Sequence, residues 1–93
     1  MRKYEMLYIL STKLGEEEIN SVVSKFESVV ASNGGKVEGV DKWGVKKLAY
    51  PINYETEGYY VLMTFESDVN LIAELKRVAG ITTGILRRLI TRV

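Results

Sequence analysis

Arg87 and Arg88 stand side by side near the end of the chain, with Arg92 four residues beyond and Arg2 and Lys3 at the opposite terminus. A guanidinium presents a planar fork of donors that matches two oxygens of a phosphate, so paired arginines suit a phosphate-rich partner. The whole-chain charge of +1 gives no general support to such binding. The distribution does: after Glu74 come Lys76, Arg77, Arg87, Arg88 and Arg92 with no acid among them. A local patch of that kind can hold a polyanion even where the total charge is near zero. The competing reading is that charged side chains on an edge strand merely discourage aggregation.

Catalytic chemistry has few candidates. The chain has no histidine and no cysteine, which removes the commonest general base and metal ligand, all disulfides and all thiol nucleophiles. The absence of cysteine suits a reducing cytoplasm. Glu16, Glu17 and Glu18 form the one dense carboxylate cluster. Consecutive helical residues point about 100° apart, so these three cannot converge on one ion. They read as a solvated first turn. A phosphate-cradling loop fails on the same residues, because STKLGEEE would repel the anion it had to hold. No cofactor or metal site is expected.

Two further sets of side chains could bind. Tyr4, Tyr8, Tyr59, Tyr60 and Phe65 could stack on bases if they faced solvent. However, Tyr4 and Tyr8 alternate with Met6 and Leu10, which places them on a core face. The other set lies in WGVKKLAYPI, where Trp43, Lys46, Lys47, Leu48 and Tyr50 combine bulk with positive charge and no acid. Aromatics on an exposed strand, with lysine stems beside them, are what a protein partner could bury. Alternatively, Trp43 and Tyr50 belong to the core.

The elements that must position these groups follow from periodicity. Residues 2–10 alternate as a strand whose second face, Lys3, Glu5, Leu7 and Ile9, is mixed, as in a central strand. From Glu16 the period becomes helical, with Ile19, Val22, Val23, Phe26, Val29 and Val30 on one stripe and Asn33-Gly34-Gly35 as the stop. Residues 36–53 form a long strand in which Gly39 and Gly44 mark bulges and Pro51 argues for a sheet edge. A polar loop is expected over 53–58, then a central strand over 59–65. A second helix is capped by Asp68 or Asn70, buries Ile72, Leu75 and Ala79 with Val78 beside them, and ends at Gly80. Residues 85–92 make the last strand.

The order β-α-β-β-α-β in one 93-residue domain predicts the α+β ferredoxin-like (split βαβ) fold. Right-handed crossovers put both helices on one face of a four-stranded antiparallel sheet of order 4-1-3-2. In that order Arg2, Lys3, Arg87, Arg88 and Arg92 lie on adjoining strands and are expected to share one end or side. The N-terminus lacks the long apolar segment of a signal peptide, and no window approaches the roughly 18 apolar residues of a membrane span. A soluble intracellular protein is expected.

Five segments then become specific in combination: MRKYE, NGGKV, WGVKKLAYPI, EGYYVLMTF and ILRRLITR. In this order and spacing the chain resembles the bacterial ribosomal protein S6 family along its full length. The resemblance implies a non-catalytic, cytoplasmic component of the small ribosomal subunit. Such a protein binds small-subunit ribosomal RNA in the central (platform) domain together with ribosomal protein S18. It makes Arg2, Lys3, Arg87, Arg88 and Arg92 the candidate RNA contacts. Trp43, Lys46, Lys47, Leu48 and Tyr50 fall on the signature strand, which edge position and composition place on the protein-partner side. Many members of the family extend beyond the last strand in a charged tail, whereas this sequence ends at Val93. Two other functions fit the same fold: a free-standing single-stranded RNA-binding module, needing exposed tyrosines, and a small-molecule regulatory domain.

Overall fold

A computed structural model describes residues 2–52 and 54–93. The elements run β1 (Arg2–Ser11), α1 (Glu16–Ser32), β2 (Lys36–Ile52), β3 (Glu55–Ser67), α2 (Asn70–Ile81) and β4 (Ile85–Arg92). The sheet is antiparallel with order β2-β3-β1-β4, which is the expected 4-1-3-2 read from the other edge. The apolar strands β1 and β3 take the centre, while Pro51 on β2 and Arg87, Arg88 and Arg92 on β4 fall on the edges.

One face of the sheet meets the helices. Tyr4, Met6, Tyr8 and Leu10 of β1 and Val61, Met63 and Phe65 of β3 are buried there against Val23, Phe26 and Val30 of α1 and Leu71, Leu75 and Val78 of α2. Tyr8 packs edge-on against Phe26, with ring centroids 4.9 Å apart. These tyrosines are core, as their alternation with Met6 and Leu10 predicts. The α1 stripe is equally faithful, and Gly34 at φ 80° makes the left-handed stop. The Gly35 N–H closes that turn on the Val30 carbonyl at 2.9 Å.

Tyr8 carries one uncompensated cost. Its hydroxyl is buried with no hydrogen-bond partner among the described residues. Burial, and then the charge of Glu27, push its ionisation far above the usual tyrosine range. The phenol therefore stays neutral at all physiological pH and confers no pH dependence there. Tyr8→Phe removes an unsatisfied group while keeping the ring, so unfolding stability is expected to rise by up to about 1 kcal/mol. A urea titration of both proteins measures it.

Three expectations need correction. The 53–58 loop begins on Asn53, outside the described residues, but β3 already starts at Glu55, paired with Ile52. The polar residues 55–58 are a strand because a long hairpin pairs them, which composition alone does not reveal. Neither Asp68 nor Asn70 caps α2 with its side chain; backbone bonds from Leu71 and Ile72 to the Asp68 and Val69 carbonyls close its start. Nor does Gly80 end α2, which continues to Ile81; the left-handed glycine is Gly84, in the turn beyond. The buried stripe correspondingly includes Leu71, whereas Ile72 is half-buried.

Candidate functional site

The bulges of β2 decide where its side chains go. Against β3 the ladder skips Glu38 and Trp43, and it resumes at Ile52 after four residues, Leu48 to Pro51, that face Thr56 alone. An extra residue on one strand bends it and re-aims the side chain at that point. Glu38 thereby reaches Lys3, at 3.6 Å, on the sheet face away from the helices. Trp43 lies over Tyr60 on that same open face, with centroids 6.4 Å apart and planes within 10°. The left-handed φ of 85° at Gly44 makes the second bulge possible. Lys46 Nζ stands 4.8 Å from the Trp43 ring centroid, and the Trp43 indole N–H donates to Asp41.

The surplus residues at the hairpin tip curl over the open face. Leu48 is 8% exposed and seats beside Gly58 and Ile9. Tyr50 accepts a hydrogen bond from Arg87, whose guanidinium also lies 5.9 Å from the tyrosine ring centroid. Glu55 anchors the tip from below by accepting from the Ser11 hydroxyl at 2.8 Å.

Trp43, at 41%, and Tyr50, at 54%, are both partly open to solvent and neither belongs to the core. Trp43, Lys46 and Tyr50 are thus brought together on the open face. Leu48 is brought to the same place but buried, so it supports the surface rather than forming it. Lys47 pairs with Glu57 in the ladder and falls on the opposite face.

The five cations do not share one side. Arg87 pairs with Ile9 and belongs to the open face. Arg88 pairs with Tyr8 and Arg92 with Tyr4, which places both on the helix side of the β4 edge. Arg2 pairs with Ser67 on that side and lines a shallow groove with Asp68, Val69 and Asn70. Neighbouring positions in a strand point to opposite faces, so adjacency of Arg87 and Arg88 in sequence separates them in space. Lys3 is on the open face, between Glu38 and Glu66. Among the described residues no carboxylate pairs with Arg2, Arg88 or Arg92. Arg77, by contrast, is bound to Glu74, and its hydrogen bond holds that exposed carboxyl below the usual range.

The sequence reading missed the floor of the open face. Leu7, Ile9, Tyr60 and Leu89, flanked by Arg87, line a shallow groove there that no helix covers. The signal was present in β1, where both alternating sets contain apolar residues although only one can meet the helices.

No group of three or more acidic, histidine or cysteine side chains could hold a metal among the described residues. No described helix is long and apolar enough to cross a membrane. A ferredoxin-like domain with one uncovered apolar face and a separate arginine margin is a domain built for macromolecular contact. The sequence pattern of the family described as ribosomal protein S6 matches residues 3–92, and the chain belongs to that family. Its relatives include the small ribosomal subunit protein bS6 of Clostridium acetobutylicum, 53% identical over 97% of this chain and 95% of that protein. The bS6 of Thermoanaerobacter pseudethanolicus is 50% identical over 99% of this chain and 97% of that one. The crystal structure of 30S ribosomal protein S6 from Thermotoga maritima superposes with a TM-score of 0.94 at 29% identity, covering 99% of this chain and 87% of that one. The C-terminal domain of the MgtC protein from Mycobacterium tuberculosis, at TM-score 0.68 and 10% identity over 100% of this chain and 88% of that one, shares the fold alone. The protein is accordingly a structural, non-enzymatic component of the small ribosomal subunit.

Proposed function

We propose that the protein binds small-subunit ribosomal RNA, in the central domain, jointly with ribosomal protein S18. The observation that carries this reading is the division of the surface. Arg2, Arg88 and Arg92 line the helix side of the β1–β4 margin without carboxylate partners among the described residues, while Trp43, Lys46 and Tyr50 border an apolar face that no helix covers. The arginine margin suits phosphates, whose contacts position a protein without reading sequence. The apolar face suits a folded protein partner, with Leu48 holding the hairpin tip in place, whereas Lys47 lies on the opposite face and takes no part in that contact. Arg87, bound to Tyr50, sits where the two surfaces meet, and Lys3 is largely neutralised by Glu38 and Glu66.

Titration of a central-domain RNA fragment at several salt concentrations, with and without S18, tests the proposal. Binding is expected to be modest for the protein alone and much tighter with the partner. Arg88→Ala with Arg92→Ala should reduce the salt slope by about two units, roughly one for each lost phosphate contact. Equal affinities with and without S18 would sink the cooperative account, and an unchanged slope would move the RNA surface elsewhere. A base-stacking module is disfavoured because Tyr4, Tyr8 and Phe65 are buried against the helices.

A further inference from the structure

The two edges of the sheet are finished differently. β2 is broken by surplus residues at Glu38 and Trp43, turns left-handed at Gly44 and carries Pro51, all of which hinder the docking of another strand. β4 has no such device: from Arg87 to Arg92 its ladder with β1 is continuous, and it contains neither proline nor glycine.

The hydrogen bonds fix which backbone groups of β4 face outward. The Val93 N–H donates to the Lys3 carbonyl at 3.0 Å, and the Ser11 N–H donates to the Gly84 carbonyl at 2.8 Å. The odd-numbered residues of β1 therefore turn their backbone toward β4, where Arg87, Leu89 and Thr91 are paired with them. The N–H and C=O groups of Arg88, Ile90 and Arg92 point the other way, off the sheet, where no described strand follows. The side chains restrict what could pair there. Arg88 and Arg92 are exposed on the helix side, with no carboxylate partner among the described residues. Leu89, on the open face, is 53% exposed. A second β4 would fit the backbone, but antiparallel pairing about Ile90 sets Arg88 of each copy against Arg92 of the other. Phosphate oxygens would match the arginines but only accept, so they would leave the outward carbonyls without donors.

We infer that the β4 edge takes an extended acidic segment of another protein as a fifth strand. Its backbone bonds to Arg88, Ile90 and Arg92, and it alternates carboxylates toward the two arginines with apolar side chains beside Leu89. The backbone bonds hold the strand, and the carboxylate–guanidinium pairs choose which of its faces meets the helix side. A contact this short is weak, with a Kd on the order of a hundred micromolar. The segment would cover arginines assigned above to RNA, so the two ligands compete for one margin. The inference rests on strand geometry and is tested without RNA, so its failure is distinct from failure of the RNA reading.

NMR titration of the isotopically labelled chain with a capped peptide alternating glutamate and valine tests it. In the free protein the amides of Arg88, Ile90 and Arg92 should exchange roughly tenfold faster than those of Leu89 and Thr91, and saturation with peptide should remove the difference. Methylating the glutamate nitrogens, which face β4 in the charge-matched phase, should abolish binding, whereas methylating the valine nitrogens should not. Lysine in place of glutamate should also abolish it. Arg88→Pro, tolerated where an edge N–H faces solvent and checked by circular dichroism, should weaken binding well beyond Arg88→Ala. Equal binding by the two methylated peptides would mean a plain polyanion surface, such as a nucleic acid would use, and overturns strand addition. So does a peptide that shifts no β4 resonance at millimolar concentration, or an Arg88→Pro variant that binds as well as Arg88→Ala.

Discussion

Phe26→Ala is expected to destabilise the domain by about 3–5 kcal/mol, the cost of a large cavity in a core that relaxes only partly. Phe26 is completely buried on α1 and meets the Tyr8 ring edge-on, so its removal strips contacts from both layers at once. In a domain of this size each kcal/mol is worth about 4–8 °C of Tm, so a fall of more than roughly 12 °C should result. A urea titration showing a lowered midpoint with an unchanged slope would assign the loss to stability. A loss below about 1 kcal/mol would mean that the helix does not pack as described.

Gly58→Ala should have the second largest effect, and it links fold to surface. A Cβ at this position would stand 2.3 Å from the Ile9 Cγ2 and 3.4 Å from the Leu48 Cδ2. The methyl group on a β-branched carbon cannot swing away freely, so Ile9 or the hairpin tip must move. A loss of about 2–3 kcal/mol is expected from overpacking alone. The tip that carries Leu48 and Tyr50 should loosen with it, and faster amide exchange over residues 48–52 would register that change. Gly39→Ala is the control: a Cβ there meets nothing within 4 Å. If both variants unfold alike, the close approach at Gly58 is not what matters.

Both substitutions also mark how far the sequence could be read. Periodicity located all six elements, and the helix-facing residues of β1 and α1 derive directly from spacing. Short-range steric rules act within a few residues, so strand alternation and helical stripes are visible in a bare string. The ends were less legible. The extension of α2 past Gly80 and the start of β3 at Glu55 depend on pairing partners distant in the chain.

Site geometry was the least legible. Residue types pointed to an arginine set and an aromatic strand, and both exist as exposed groups. Yet Arg87 and Arg88 face opposite ways, Lys3 is held by two glutamates, and Leu48 is buried. The first of these is plain strand alternation, whereas the other two turn on the bulges at Glu38 and Trp43 and the three surplus residues after Lys47. Each inserted residue reverses the facing of every later residue in the strand, and its position depends on register against β3.

By itself the sequence determined the fold, the family and the kinds of side chain available for contact, because these depend on local periodicity and on motif order. Only the tertiary structure decided which of those side chains act together. That choice depends on strand register and on the curl of one hairpin across the sheet, both set by long-range packing. WGVKKLAYPI shows the division most plainly. Its composition indicated an edge strand and left Trp43 and Tyr50 open between core and surface, but the pairing with β3 placed Trp43, Lys46 and Tyr50 on the open face, buried Leu48 and brought Tyr50 to Arg87.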